Sequence, residues 1–261
     1  MKKICCLGCS LLTLGLTMLT SCSSGKTIYG DTSSTKVLQI GTESTFDPFE
    51  YQENGKVVGF DMDLMDAFGK SKGYKIEVND MDFDGIVLAI ETGKIDIGAT
   101  GLSITDERKE NINFSIPYYT AGQVVICKSD SSYASLTSVE DLNDALNTTG
   151  TKLGYQIGNT VGDYIDDNLK NATGVSYQGI PTALMDLTNG KINAILCDIE
   201  PAKTYAGNDS NYKVMLEIPL SEEDYGFGIN KDNTALKAEL DDFLNEYMES
   251  EEWDALIEKY F

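Results

Sequence analysis

Gly93-Lys-Ile-Asp-Ile-Gly-Ala-Thr-Gly-Leu-Ser-Ile-Thr-Asp-Glu-Arg-Lys-Glu-Asn-Ile-Asn-Phe-Ser-Ile-Pro-Tyr-Tyr119 is the stretch from which the fold can be read. Ile95, Ile97 and Ala99 alternate with Asp96 and Gly98, which predicts a strand running into a loop of small residues. Gly98 and Gly101 are expected to leave backbone N–H groups within reach of a ligand. Thr105 suits the N-cap of a following helix, and Asp106 and Glu107 suit its positive end. Arg108 opposes that dipole. Two readings stand: an arginine facing an anion beyond the helix end, or a surface arginine paired with Glu107 or Glu110.

The same layout recurs on both sides of this stretch. Residues 37–41 and 74–78 read as strands, with Phe60, Leu64, Met65 and Phe68 at helical spacing between them. Ile86, Ala89 and Ile90 form one face of another helix, closed by Gly93. Beyond Tyr119, residues 123–128 read as strand, 136–146 as helix and 152–155 as strand, leading into Gln156-Ile-Gly-Asn-Thr160 and a helix start. Ile90-Glu-Thr-Gly-Lys-Ile-Asp-Ile97 is echoed by Leu187-Thr-Asn-Gly-Lys-Ile-Asn-Ala194, each a helix end, a Gly-Lys turn and a strand. The second of these strands runs to Asp198, a carboxylate after an apolar run, where it either needs a charged partner or caps a helix. The echo predicts two related α/β lobes whose strands end at a shared cleft. Residues 225–229 read as one further strand. The C-terminal stripes Leu236, Leu240, Phe243, Leu244 and Trp253, Leu256, Ile257 read as helices packing a lobe.

Composition narrows the chemistry. A formal net charge of -22 disfavours nucleic acid and anionic lipid as direct partners. The chain has no histidine, which removes the commonest metal ligand and the commonest neutral-pH acid/base group. Lys2 and Lys3 precede an apolar run over residues 11–19, the pattern of an export signal over residues 1–21 that is too short and polar for a membrane span. Leu19-Thr-Ser-Cys22 looks like a bacterial lipobox, in which Cys22 would be acylated; an ordinary signal cleaved nearby is the alternative. Residues 22–36, rich in Ser, Thr and Gly, are then a flexible tether. Cys127 and Cys197, in apolar runs, read as buried free thiols, with a disulfide left open.

The run Gly101-Leu-Ser-Ile-Thr-Asp-Glu-Arg-Lys109, preceded by Asp82-Phe-Asp-Gly-Ile-Val-Leu-Ala-Ile-Glu-Thr-Gly-Lys-Ile-Asp96 and followed by Phe114-Ser-Ile-Pro-Tyr-Tyr119, closely resembles the polar amino-acid-binding proteins of ABC importers. The resemblance extends over residues 37–261. It implies a two-lobed, periplasmic-binding-protein-like α/β fold of type II, with the ligand cleft between lobes joined by two hinge crossovers. Residues 37–119 with 224–261 would form the first lobe and residues 120–223 the second, with crossovers near 118–122 and 222–226.

The resemblance also implies roles. Arg108 would take the α-carboxylate of a free L-amino acid, helped by Ser103, the loop N–H groups about Gly101, and Thr160 from the second lobe; Asp198 would take the ammonium. Phe46 and Phe83 would flank the ligand side chain, while Phe49 and Tyr51 read as core. Glu43, Gln156 and Thr100 stand at positions that tune side-chain choice, and Cys197 stands where some relatives place a polar contact. No matched position supplies a second Arg or Lys, so a neutral polar or basic amino acid is expected rather than an acidic one. A monomer without metal, cofactor or catalytic residue, lipid-anchored outside the cytoplasm and delivering to permease subunits, completes the expectation. The alternatives are a cyclohexadienyl-dehydratase-like enzyme on the same scaffold, with Glu43 as its acid, and a surface sensory lipoprotein.

Overall fold

Apolar strands and amphipathic helices alternate along the chain and assemble into two α/β lobes, each on its own six-stranded sheet. A computed structural model describes residues 26–207, 209–215 and 220–261, so the expected signal segment and Cys22 lie outside the described residues. The first lobe runs through β1 (Ile28–Gly30), β2 (Val37–Thr42), β3 (Thr45–Phe46), β4 (Glu50–Glu53), β5 (Lys56–Val58) and α1 (Phe60–Lys72). It continues through β6 (Lys75–Asp80), α2 (Ile86–Glu91), β7 (Ile97–Gly98), α3 (Asp106–Asn111) and β8 (Ile112–Phe114). The chain leaves on β9 (Tyr119–Lys128) and builds α4 (Val139–Leu146), β10 (Lys152–Gln156), α5 (Val161–Asn168), β11 (Thr173–Tyr177), α6 (Ile180–Thr188), β12 (Ala194–Asp198), α7 (Ile199–Ala206) and β13 (Tyr212–Val214). It returns on β14 (Ser221–Tyr225) to β15 (Gly228–Asn230), α8 (Thr234–Tyr247) and α9 (Glu251–Tyr260).

In the first sheet the order is β1-β6-β2-β7-β15-β8, with β2 parallel to both β6 and β7. In the second the order is β11-β10-β12-β9-β13, with β10 parallel to both β11 and β12. Parallel neighbours end on the same side of a sheet, and ligand sites of open α/β sheets lie beyond those carboxyl ends. Glu43 follows β2, Thr100 follows β7, Gln156 ends β10 and Asp198 ends β12, so topology sends all four to one edge of their sheets. The two segments joining the lobes pair with each other: Tyr119 stands opposite Tyr225 and Gln123 opposite Ser221 in an antiparallel ribbon of β9 and β14.

The second sheet is buried on both faces. Val125, Cys127 and Leu196 face one core, while Val124, Ile126 and Cys197 face the other, as period-two alternation requires. Cys127 and Cys197 are therefore free, buried thiols on opposite faces. Cys197 packs into a lobe core, in keeping with the buried-thiol reading. In the first lobe Phe60, Leu64, Met65 and Phe68 are all buried, the face their spacing predicted for α1.

Three expectations change. The tether expected to reach Lys36 is already ordered at β1, which pairs antiparallel with β6. Hydrogen bonds hold this segment together with the packing of Tyr29 on the first-lobe core: Gly30 N–H donates to Asp66 Oδ1 at 2.7 Å and the Tyr29 hydroxyl to the Val57 carbonyl at 2.7 Å. Residues 225–229 are two strands in different sheets, broken at Gly226, whose N–H turns to the Leu102 carbonyl at 3.1 Å. Tyr51 is only half-buried on the outer hairpin, whereas its neighbour Phe49 is fully buried.

Candidate functional site

The loop after β7 is held from within. Thr100 Oγ1 accepts the Glu43 N–H at 3.0 Å and donates to Glu50 Oε1 at 2.9 Å. Gly101 N–H donates to Asp61 Oδ2 at 2.9 Å, and the Tyr118 hydroxyl donates to the same oxygen at 2.9 Å. Gly101 has φ +52°, and a Cβ there would sit 2.6 Å from Phe46 Cε1, so backbone and packing both demand glycine. Its N–H and the Thr100 hydroxyl are thus used inside the lobe, which corrects their expected ligand roles. Gly98 likewise serves packing, since a Cβ there would meet Ile90 Cδ1 at 2.8 Å. Glu50 and Asp61 were missed in the sequence. Their signal was an acid inside an aromatic or apolar run, Phe49-Glu50-Tyr51 and Phe60-Asp61-Met62, where a charge needs partners.

Thr105 caps α3 as its sequence predicts, its Oγ1 accepting the Arg108 N–H at 3.1 Å. The Arg108 guanidinium turns away from Glu107 and Glu110. Nη1 donates to the Ser103 carbonyl at 2.7 Å and Nη2 crosses to the Gly158 carbonyl in the other lobe at 2.8 Å. The Phe83 ring lies 5.6 Å from Arg108 Cζ, a cation–π contact, so Phe83 seats the arginine. Among the described residues Arg108 pairs with no carboxylate within 4.0 Å, although Glu223, Asp198 and Asp163 all act on it.

From the second lobe, Gln156 Nε2 donates to Glu43 Oε2 at 2.9 Å and to the Gln178 carbonyl at 3.0 Å. The Tyr205 hydroxyl donates to the Thr45 carbonyl at 2.9 Å. With the Arg108 contact, these bonds hold the lobes against each other. Gly158, at φ +79°, lies so near Asp84 that a Cβ would stand 3.1 Å from its Cα.

Asp198 is 2% exposed at the head of α7, yet its side chain makes no capping bond. Asn159 Nδ2 donates to its Oδ2 at 3.1 Å. The Asp198 carboxyl and the Tyr225 hydroxyl act on each other, while Oδ1 and that hydroxyl each lack a well-aligned hydrogen bond among the described residues. Burial pushes the Asp198 carboxyl up to about 7; Glu223 adds to the rise, while Asn159, Tyr225 and Arg108 oppose it. Burial likewise raises Glu43 above the usual carboxylate range, against its bonds from Thr45 and Gln156.

Thr160 departs from expectation. It heads α5 in helical conformation, φ -59° and ψ -18°, so its hydroxyl does not cap. Oγ1 instead donates to Glu223 Oε2 at 2.7 Å and accepts from Gln123 Nε2 at 2.8 Å, tying α5 to the hinge ribbon. Phe46 is buried in the first-lobe core against Phe49 and Tyr225, with ring centroids 5.7 and 6.4 Å apart, its edge against Gly101. Ser103 bridges Tyr225 across the strands, and its carbonyl holds Arg108. A groove of about 350 Å³, lined in part by Arg108, Asn159, Thr160 and Asp163, opens between the lobes beside these residues.

One cation and one anion, Arg108 and Asp198, are thus brought to the cleft from opposite lobes without pairing. Residues 38–261 match the bacterial extracellular solute-binding proteins, family 3. The chain belongs to that family. Three relatives illustrate its neighbourhood. The probable histidine-binding protein of Neisseria gonorrhoeae is 30% identical over 229 residues, covering 87% of this chain and 83% of the relative. An ancestral arginine-binding protein solved with arginine bound superposes with a TM-score of 0.76 at 35% identity, over 86% of this chain and 98% of that one. An ancestral amino acid-binding protein, a precursor of cyclohexadienyl dehydratase, gives a TM-score of 0.78 at 31% identity, over 86% and 95% of the two chains. For this solute-binding protein the two-lobed type II fold and amino-acid binding follow from the family, and the family is extracytoplasmic.

Proposed function

We propose that this solute-binding protein receives one free L-amino acid, basic or neutral polar, and delivers it to the permease subunits of an ABC importer. The observation that carries the reading is the unpaired Arg108 and Asp198, one from each lobe. A free amino acid is a zwitterion, and burying it requires a cation for its carboxylate and an anion for its ammonium. Arg108 takes the carboxylate with Ser103 beside it, and Asp198 takes the ammonium. Ligand held by both lobes favours the closed arrangement, which is the form offered to the importer. Phe46 and Phe83 border the side-chain space.

Glu43 supports the basic preference. It is a carboxylate on the side-chain end, bonded to Gln156, and Gln156 Oε1 is buried with no protein donor. An arginine or lysine side chain supplies donors to both. An acidic side chain meets like charge instead. The protein acts as a receptor, not a catalyst, because Glu43 is tied across the cleft instead of poised alone as an acid. Residues 37–119 with 224–261 move as one lobe and 120–223 as the other, about the paired ribbon, in a monomer held to the membrane by acylated Cys22.

Calorimetric titration of the soluble domain with individual amino acids, after unfolding and refolding to strip copurified ligand, tests this. One L-amino acid should bind tightly and be lost in Arg108→Ala and Asp198→Ala. A folded domain that binds none, or that turns over prephenate or arogenate, would refute the receptor reading.

A further inference from the structure

Beneath the loop of residues 99–103, and behind the cleft, Glu50 on β4 and Asp61 on α1 are both fully buried. One oxygen of each is satisfied, Glu50 Oε1 by Thr100 and Asp61 Oδ2 by Gly101 and Tyr118. The other oxygen of each, Glu50 Oε2 and Asp61 Oδ1, has no donor among the described residues. Yet the two carboxyl groups are neighbours: they hold the consecutive residues Thr100 and Gly101, the Asp61 N–H donates to the carbonyl of Phe49 beside Glu50 at 3.0 Å, and each carboxyl acts on the other. Two ionised carboxylates in that position would combine full desolvation with like-charge repulsion. A single proton satisfies both orphan oxygens at once.

Among the described residues, no cation faces the pair to take its place. Glu43 acts on Glu50 with like charge, Tyr118 donates to Asp61, and the Tyr205 and Tyr225 hydroxyls feel the Glu50 charge. Lys259 on α9, which packs against α1, bonds Asp63 on the outer side. Burial raises both carboxyls, and Asp61, with two donors to Glu50's one, is the better held as the anion.

We propose that Glu50 and Asp61 are a positioning pair that shares one proton and through it holds the amino-acid-binding loop at its working height. Glu50 carries the proton and donates it to Asp61. Its other oxygen fixes Thr100, which holds the Glu43 N–H, while Asp61 fixes Gly101, two residues before the Ser103 carbonyl that seats Arg108. Neither acid touches the bound amino acid. The binding arm of the test rests on the receptor reading; the proton itself does not.

The experiment compares Glu50→Gln with Glu50→Ala. The glutamine amide supplies a permanent N–H to Asp61 while its carbonyl still accepts from Thr100; alanine removes both contacts. In the infrared difference spectrum of ligand-free wild type against Glu50→Gln near neutral pH, one protonated-carboxyl C=O band should be lost. L-Arginine affinity should stay within about threefold of wild type in Glu50→Gln and fall at least about tenfold in Glu50→Ala. No band lost, or a glutamine variant that binds as badly as the alanine variant, overturns the pair. If Glu50→Ala does not fold, the band and the Glu50→Gln affinity decide. A wild type that does not bind L-arginine removes arginine as the cargo, and the infrared band then decides the shared proton alone.

Discussion

Two buried acid sites stand on opposite sides of the cleft, and the fold treats them in opposite ways. In the first lobe Glu50 and Asp61 receive donors from Thr100, Gly101 and Tyr118 and, as proposed, share one proton. In the second lobe Asp198 receives one well-aligned donor among the described residues, from Asn159, and keeps an oxygen without a partner among them. The first arrangement neutralises charge to hold a backbone loop still. The second leaves a buried carboxyl whose ionised form destabilises the folded chain by itself, which is the expected condition of a residue that answers to a ligand.

The largest test of this contrast lies in the charge facing Asp198. Arg108→Ala should cost about 3 to 5 kcal/mol of binding, a loss of roughly a hundredfold to several thousandfold, because the ligand carboxylate is then buried without a cation. Calorimetry measures it, and an unchanged dissociation constant would remove Arg108 from the site. Asp198→Asn should weaken binding by about 2 to 4 kcal/mol while raising the stability of the ligand-free protein. The sign follows from burial: a carboxyl raised from 3.8 to about 7 binds more protons folded than unfolded, so stability falls as pH rises through that window. Above it the loss is complete, and urea unfolding at pH 8 should show the asparagine variant more stable than wild type. Equal midpoints would mean that Asp198 is better compensated than its single donor suggests.

A smaller effect lies in pH. Ligand ammonium needs ionised Asp198, so affinity should decline on acidification below pH 7, by at most about tenfold per unit, and the decline should flatten in Asp198→Asn. The smallest concerns the cross-lobe contact. Gly158→Ala combines strain at φ +79° with crowding against Asp84, and should cost about 1 kcal/mol of affinity through the closed arrangement. Small-angle scattering with ligand would show whether that variant closes less fully.

Much of this architecture was legible residue by residue. The helical spacing from Phe60 to Phe68 and the Gly-Lys echo reappear in α1 and the two lobes, whereas the strand expected over Ile95, Ile97 and Ala99 is only Ile97–Gly98, with Ile95 packed in a different cluster from Ile97 and Ala99. The helix start at Thr105 is local chemistry and stands where its sequence puts it. The candidate site was legible in its charges and not in its donors. Thr100, Gly101 and Thr160 looked available because nothing near them in sequence competes for them. Their partners come from far away: Glu50 and Asp61 lie 50 and 40 positions earlier, and Glu223 lies 63 positions after Thr160.

That division has one physical cause. Steric preference, apolar periodicity and capping act over a few residues, so the sequence by itself determined which segments became strands or helices and that Arg108 opposed its own helix. Buried polar groups must find partners wherever the fold brings them. Only the tertiary structure decided that Glu43 meets Gln156 across 113 positions, that β1 is held by Asp66 and Val57, and that Asp198 keeps an oxygen free.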